Sequence, residues 1–268
     1  MNVRGVVEVI LAANGGRRFE KTCDQLIEGD WERQVTGVVT TFMATVEVIR
    51  RTIAMGCNLI IPHEPPYFTG SDRTDWMEAD PVYLRKRALI NDNRVSIWRY
   101  HDHMHVGRVD LIYAGLLKDL GWTEYLESGL PQPHCYSIPS TTVADLVGFL
   151  KKALGLSIIR IVGDPEMKCS RVGILVGGGS LGLGHEEMPA GLMHDRRLDV
   201  MICGEITEWT LAAYVRDAAA LGFNKAMIIV GHERSEEPGM KEMANWLQPL
   251  LGEIPVHSLD AGEPFVYV

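Results

Sequence analysis

The sequence predicts an α/β fold, in which short buried strands alternate with amphipathic helices. Three β-branched apolar runs give the first indication; they cover residues 59–63, 95–101 and 227–230. Runs of this length, bounded by glycine, proline or polar residues, are typical of strands buried in an α/β sheet. Helical periodicity between the runs gives the second indication, because apolar residues recur there at intervals of three and four.

In chain order, the first predicted helix carries an apolar stripe of Val3, Val6, Val7, Ile10 and Leu11. Further helices are predicted over about residues 44–55, 81–91, 109–120, from 141 or 142 onward, 210–221 and 239–251. Besides the three apolar runs, strands are predicted over about residues 36–42, 158–162, 171–176 and 199–203. Glycine follows three of these helices, where it commonly ends a helix; the residues are Gly56, Gly121 and Gly222.

The chain also contains a loose internal repeat. Helix, glycine, strand and His-Glu follow one another in residues 44–64 and again in residues 211–233. This repeat predicts two related α/β halves with a site between them. A proline-containing stretch at 129–140 marks a change of subdomain, so the predicted parts are an N-terminal half (1–128), a middle segment (129–190) and a C-terminal part (191–268) that completes the sheet and the site.

Composition excludes several classes of protein. The 268 residues are 46% hydrophobic and 23% charged, which is ordinary for a globular chain, and the net charge of −9 argues against nucleic acid as the main partner. Five separated cysteines match neither a disulfide framework nor a zinc ribbon, so we expect reduced thiols in a cytoplasmic protein. No apolar run approaches the roughly 18 residues that span a bilayer, so no membrane partner is expected.

Histidines and carboxylates cluster at the ends of the three apolar runs. Ligands of α/β sheets collect at the carboxyl ends of strands, so these clusters predict a metal site. Imidazole and carboxylate together suit zinc, iron, manganese or nickel, and the number of donors indicates two divalent ions. The candidate ligands are His63, Glu64, His101, His105, His232 and Glu236.

The choice within each cluster depends on spacing. His101 and His105 are preferred because side chains four residues apart in one turn can converge, which leaves Asp102 and His103 outside the ligand set. His232 and Glu236 share this spacing, although Pro238 favours a loop there. A single histidine at a strand end is more often an ordinary loop residue, so the argument depends on the three clusters together.

Two further segments have alternative interpretations. The glycine-rich run 177–184 follows a strand and could bind phosphate, but it matches no nucleotide-binding motif. Tight packing beside the metal site is the favoured interpretation. Glu205 follows another strand end, and either Glu205 or Asp102 is a candidate proton shuttle.

These residues resemble the NGG-one-interacting factor three family, many of whose members are named type 2 GTP cyclohydrolase I. The family's strand ending in His-His-Pro corresponds to His63-Glu64-Pro65, and its later His-x-x-x-Asp motif corresponds to residues 101–105. The family's Gly-Glu-Ile segment corresponds to residues 204–206, and its C-terminal Gly-His-x-x-x-Glu motif corresponds to residues 231–236. Residues 24–29 resemble the family's N-terminal Gly-Leu-Gln-x-Gly region more loosely. Glu64 stands where the family has histidine and His105 where it has aspartate, so the total of four histidines and two carboxylates is kept.

The resemblance implies two α/β halves around a central cavity and a ring-shaped homo-oligomer, a hexamer. The predicted function is a dinuclear metal-dependent hydrolase of a small substrate, with nucleotide-like compounds among the candidates. The alternative is a non-catalytic metal-binding regulator or scaffold. A third interpretation, a nucleotide-binding protein that uses residues 177–184, predicts ligand binding that chelators do not affect.

Overall fold

The computed structural model describes residues 1–127 and 134–268. Helices and strands alternate through these residues, which confirms the predicted α/β class. The chain divides into two compact units: unit 1 comprises Met1–Gly115 and Gly239–Val268, and unit 2 comprises Leu116–Pro238. The predicted boundary between 128 and 129 lies outside the described residues, and the predicted division into three parts stays a prediction.

Unit 1 contains a five-stranded sheet in the order β1-β4-β3-β2-β10. Strands β10, β2, β3 and β4 run parallel, and the edge strand β1 is antiparallel to β4. The strands are β1 (Leu26–Glu28), β2 (Val38–Met43), β3 (Leu59–Glu64), β4 (Ser96–Trp98) and β10 (Val256–Ser258). Because β3 and β4 are parallel neighbours, with Ile60 opposite Ile97, the residues that follow both strands lie at the same edge of the sheet.

The helices that begin in unit 1 are α1 (Val3–Ala13), α2 (Val46–Ala54), α3 (Pro81–Asp92), the one-turn α4 (Asp102–His105) and α5 (Leu111–Leu120), the last of which ends in unit 2. Side chains that cap backbone amides mark the starts of two of these helices. The Thr45 hydroxyl accepts from the Val48 amide of α2, and Asp80 accepts from two amides of α3. Val48 and Ile49 are buried with Ile60 and Ile97 in one apolar cluster. Burial of each such side chain contributes about 1.5–3 kcal/mol.

Unit 2 contains a second five-stranded sheet, in the order β5-β7-β8-β9-β6 within the described residues. Strands β7, β8 and β9 are parallel, whereas the edge strands β5 and β6 are antiparallel to their neighbours. The strands are β5 (Cys135–Thr142), β6 (Arg160–Val162), β7 (Lys168–Leu175), β8 (Val200–Cys203) and β9 (Ala226–Ile229). The helices are α6 (Val143–Leu154), α7 (Met188–Asp195), α8 (Leu211–Ala220) and α9 (His232–Leu251), which continues into unit 1.

The structure and the sequence prediction differ at several places, two of which involve a proline. Helix α9 begins at His232 rather than near residue 239 and runs through Pro238, although a proline there removes one backbone hydrogen bond of the helix. Residues 135–142, which overlap the proline-containing stretch 129–140, form strand β5, where no strand was predicted. Pro139 is tolerated because β5 is an edge strand whose register shifts between Ser137 and Thr141. Among the described residues, we find no helix with the length and apolar character needed to cross a bilayer.

Candidate metal centre

Three of the predicted ligands, His63, His101 and His105, meet within unit 1. One ring nitrogen from each lies within 4.8 Å of the other two. The ring centroid of His63 is 4.4 Å from that of His101 and 5.0 Å from that of His105, and His63 is fully buried. Three imidazoles at this separation can direct their nitrogens toward one ion.

Strand order and one short helix produce this arrangement. His63 is the penultimate residue of β3, and His101 follows the neighbouring parallel strand β4. Helix α4 then makes a single turn, in which the His105 amide donates to the His101 carbonyl oxygen (3.3 Å). Asp24 holds the start of this turn, because its carboxylate accepts from the amides of His101, Asp102 and His103 at 2.7–2.9 Å.

The Nδ1 atom of each clustered histidine lies against an oxygen acceptor. His63 Nδ1 is 3.1 Å from the Tyr100 carbonyl oxygen, His101 Nδ1 is 3.0 Å from Asp102 Oδ1, and His105 Nδ1 is 3.0 Å from Asp110 Oδ2. A carbonyl or carboxylate oxygen can only accept, so Nδ1 carries the hydrogen in each ring. The neutral tautomer then presents the Nε2 lone pair, which is how metal-binding histidines are commonly held.

Glu64 is the fourth predicted ligand in unit 1. Its side chain is largely buried, and its two carboxylate oxygens face different groups. Oε1 lies 3.6 Å from His101 Nε2, whereas Oε2 lies 3.4 Å from Arg99 Nη2. The carboxylate is therefore beside the imidazole cluster.

Asp102 is ionised and firmly held. Partial burial acts to raise the pKa of its carboxyl, but hydrogen bonds from the Thr22 hydroxyl, the Cys23 amide and thiol, and His101 outweigh burial, so the pKa lies below its ordinary value. Burial, together with the nearby carboxylates, raises the pKa of the Cys23 thiol to about 12. Cys23, His101 and Asp102 also form a group with possible ligand spacing. Because this thiol is protonated and donates to Asp102, we interpret Cys23 as support for that carboxylate.

Two predicted ligands meet in unit 2, at the first turn of α9. His232 Nε2 lies 3.2 Å from Glu236 Oε2, and His232 Nδ1 lies 3.3 Å from Glu205 Oε1. The helical start at His232 puts residues 232 and 236 on one face, which a loop would not ensure. His232 therefore resembles His101 and His105 in having a carboxylate at Nδ1, and a second carboxylate, that of Glu236, lies at its Nε2.

The glycine-rich run packs directly against this pair. Gly177 has a φ of +51°, and a Cβ added there would overlap the Glu236 carboxylate and lie 2.7 Å from His232 Nε2. Its amide donates to the Ser235 hydroxyl (2.8 Å). A Cβ on Gly204 would in turn meet the Gly177 backbone. This geometry supports the packing interpretation of the run; phosphate binding by residues 177–184 stays a prediction.

Sequence reasoning did not assign a role to several supporting residues. Asp24 lies 77 positions from His101, so no local pattern connects the two. The capping role of Asp110 could have been predicted, because an aspartate directly before an apolar helix commonly caps it. In the structure Asp110 accepts from the Ile112 and Tyr113 amides of α5. Arg99 lies within the apolar run, where an arginine is unusual, but its partners are distant in sequence.

The donor chemistry of both clusters fits borderline divalent ions. Unit 1 offers imidazoles and one carboxylate, and unit 2 offers one imidazole and carboxylates. Zinc, iron, manganese and nickel accept this mixture of nitrogen and oxygen. In unit 1 the Nδ1 contacts, buried for His63 and part-buried for His101 and His105, hold the rings in a tautomer that leaves Nε2 available to such ions.

Comparison with known proteins identifies related chains. The sequence model of the family described as Duf34/NIF3 (NGG1p interacting factor 3) matches residues 21–261. A protein named "GTP cyclohydrolase 1 type 2 homolog" from Clostridium perfringens is 22% identical over 278 residues, covering 100% of this chain and 98% of that protein. A protein of the same name from Clostridium acetobutylicum is 24% identical, covering 87% of this chain and 84% of that protein.

Solved structures resemble the fold as well. Staphylococcus aureus protein SA1388 matches with a TM-score of 0.74 at 20% identity, covering 100% of this chain and 99% of that one. A Bacillus cereus protein related to NIF3 matches with a TM-score of 0.75 at 14% identity, with the same coverage of both chains. At these identities the likeness establishes the fold.

Proposed function

The chain belongs to the Duf34/NIF3 family, and we propose that it is a dinuclear metal-dependent hydrolase of a small substrate. In this proposal six side chains bind two divalent ions. They are His63, Glu64, His101, His105, His232 and Glu236. The family likeness supports the proposal, as does the mixture of nitrogen and oxygen donors in both units.

One observation carries the proposal: every histidine of the proposed ligand set has its Nδ1 atom against an oxygen. The acceptors are Tyr100 for His63, Asp102 for His101, Asp110 for His105 and Glu205 for His232. The exposed His194 makes the same kind of contact with Asp195 (3.0 Å), so the histidines of unit 1 are distinguished by their convergence as well, with one nitrogen of each ring within 4.8 Å of the other two. An oxygen acceptor at Nδ1, together with Nε2 facing other proposed ligands, is the expected arrangement if each Nε2 serves as a metal ligand.

Two divalent ions would supply positive charge that acidifies a water and stabilises a developing negative charge on the substrate. Zinc, iron, manganese or nickel would suit the ligands. The protein itself contributes ring orientation, through Asp102 and Asp110, and exclusion of water from His63, which is fully buried. Both contributions lower the cost of assembling the charged site.

The proton shuttle belongs to the same proposal. Asp102 and Glu205 are the two candidates, and they differ in surroundings. Asp102 already accepts hydrogen bonds from Thr22 and Cys23, so it is suited to orienting His101. The Glu205 side chain is 52% exposed, so it can exchange protons with water and substrate. We therefore assign proton transfer to Glu205.

The substrate class follows from the names of relatives. Proteins called "GTP cyclohydrolase 1 type 2 homolog" suggest nucleotide-like compounds as the first candidates. A cytoplasmic location is part of the proposal, since the five cysteines are free thiols. A ring-shaped homo-oligomer, which sedimentation velocity would detect, also belongs to it.

A turnover screen tests the hydrolase proposal. Nucleotides and phosphoesters would be incubated with the metal-reconstituted protein, with His232→Ala and with His194→Ala, whose side chain is exposed. We expect turnover by the wild type and by His194→Ala, and loss of at least about 100-fold in His232→Ala. Turnover that survives in His232→Ala would point to a contaminant. Metal binding without turnover of any compound would favour the non-catalytic regulator.

A further inference from the structure

A buried arginine, Arg99, contacts two of the proposed ligands in unit 1, His63 and Glu64. Arg99 is only 3% exposed, and its guanidinium contacts the end of β3 at two points. Its Nε atom donates to the His63 carbonyl oxygen (3.2 Å), and its Nη2 atom lies 3.4 Å from Glu64 Oε2. One side chain therefore contacts both residues that end this strand.

The two oxygens of the Glu64 carboxylate contact different groups. Oε2 faces Arg99, whereas Oε1 lies 3.6 Å from His101 Nε2, on the side of the imidazole cluster. A carboxylate can bind an ion through one oxygen or through both. With Oε2 held by a guanidinium, only Oε1 is directed toward the histidines.

The position of Arg99 does not depend on Glu64. Its Nη1 atom donates to the Gly70 carbonyl oxygen (2.6 Å) and lies 3.5 Å from Asp72 Oδ2, a carboxylate that is almost completely buried. An arginine stays charged when it is buried, so these acceptors are needed to offset its desolvation. Removal of the Glu64 carboxylate should therefore leave Arg99 in place.

We propose that Arg99 is a positioning residue that restricts Glu64 to one-oxygen binding of the ion held by His63, His101 and His105. This inference rests on the proposed function. Three imidazole nitrogens and one carboxylate oxygen make a four-coordinate site, the geometry that zinc and cobalt(II) adopt with such ligands. A Glu64 released from Arg99 could bind through both oxygens, which would raise the coordination number.

Cobalt(II) gives a readout that does not require activity. Its visible absorption is intense in four-coordinate sites and weakens as the coordination number rises. We would compare the cobalt-loaded full chain with Arg99→Met, which removes the charge, and with Arg99→Lys, which keeps it. Arg87→Met is the matched control, because Arg87 also pairs with a glutamate, Glu28, in unit 1.

The expected result is that Arg99→Met lowers the visible absorption per bound cobalt, because a cobalt ion that changes from four-coordinate to five-coordinate absorbs less. Arg99→Lys should give a smaller change, and Arg87→Met none. In a Glu64→Ala background, Arg99→Met should have no further effect, because no carboxylate remains to rotate. If Arg99→Met does not fold, Arg99→Gln, which also removes the charge, takes its place.

Two results would overturn the inference. One is a folded variant that lacks the charge, Arg99→Met or Arg99→Gln, whose cobalt spectrum equals that of the wild type. The other is an equal change in the presence and absence of the Glu64 carboxylate, which would mean that Arg99 acts through the His63 backbone. Failure of the wild type to bind cobalt would instead contradict the proposed metal site itself, so the two failures are distinguishable.

Discussion

The Nδ1 atom of His101 lies 3.0 Å from Oδ1 of Asp102, the next residue in the chain. The same carboxylate accepts from the Thr22 hydroxyl and the Cys23 amide, so its position is fixed from a distant segment. The imidazole is thereby held in the tautomer that presents Nε2 to the cluster. Adjacent residues thus provide a proposed ligand and the group that orients it.

Loss of this carboxylate should weaken metal binding. In Asp102→Asn the amide is a weaker acceptor and carries no charge, so His101 is less basic and less firmly oriented. We expect a 10- to 100-fold rise in the dissociation constant for zinc, measured by competition with a chromophoric chelator. Asp92→Asn, at an exposed position on α3, is the control. Equal affinity in Asp102→Asn and the wild type would contradict the role given to Asp102.

A single methyl group at Gly177 should disturb the second cluster. The positive φ disfavours alanine, and the added Cβ would overlap the Glu236 carboxylate. Backbone strain of this kind costs about 1–3 kcal/mol, so Gly177→Ala should lower the unfolding free energy by at least that amount and displace Glu236 from His232.

The adjacent Gly178 provides a matched control, since a Cβ there would meet nothing within 4 Å. Urea unfolding and metal titration would be measured for both alanine variants. We expect Gly178→Ala to resemble the wild type in both. A Gly177→Ala variant with unchanged stability and metal content would refute the packing interpretation of the glycine run.

Asp24 should be necessary for the short helix α4. Its nearly inaccessible carboxylate accepts from three successive amides and lies 2.7 Å from His103 Nδ1. In Asp24→Ala these buried donors lose their acceptor, so we expect a loss of about 2 kcal/mol in unfolding free energy and weaker metal binding. Asp92→Ala, at an exposed position on α3, should change neither quantity. Similar stability of the two variants would exclude the capping role.

Alkaline pH should destabilise the protein through its thiols. Burial raises the pKa of Cys203 to about 12, and that of Cys169 to about 11, whereas an unfolded thiol has a pKa of about 8.5. The native state therefore keeps protons that the unfolded chain releases. The stabilisation is complete below about pH 8.5 and is lost as the pH rises toward the folded values.

Chemical denaturation at a series of pH values measures this effect. Each such thiol contributes a slope of about 1.4 kcal/mol per pH unit between the two pKa values. Cys203→Ala should reduce the total slope by that amount, with little change in slope below pH 8. An unaltered alkaline slope in Cys203→Ala would contradict a raised pKa for this thiol.

The regular part of the fold was predictable because its signals are local. The apolar run of β3 and the helix of residues 46–54 before it follow directly from periodicity, and Gly56 ends that helix with a positive φ. The same is true of α8, Gly222 and β9. Parallel strand order then accounts for the meeting of His63 and His101.

The remainder depends on partners that local patterns do not reveal. Pro238 led to the prediction of a loop around His232. Helix α9 nevertheless includes Pro238, which lacks the backbone N–H for one helical hydrogen bond. Strand β5 forms in spite of Pro139 because its antiparallel pairing with β7 shifts register there, between Ser137 and Thr141. The roles of Arg99 and Asp24 required tertiary contacts across 35 and 77 positions, respectively.

The metal content of the full chain tests the central claim most directly. Protein purified without an affinity tag would be reconstituted separately with zinc, iron(II), manganese and nickel, dialysed and analysed by mass spectrometry of the metals. We predict about two equivalents for at least one of these ions, with a loss of bound metal in His63→Ala and in His232→Ala. Less than about half an equivalent with every ion would contradict the account.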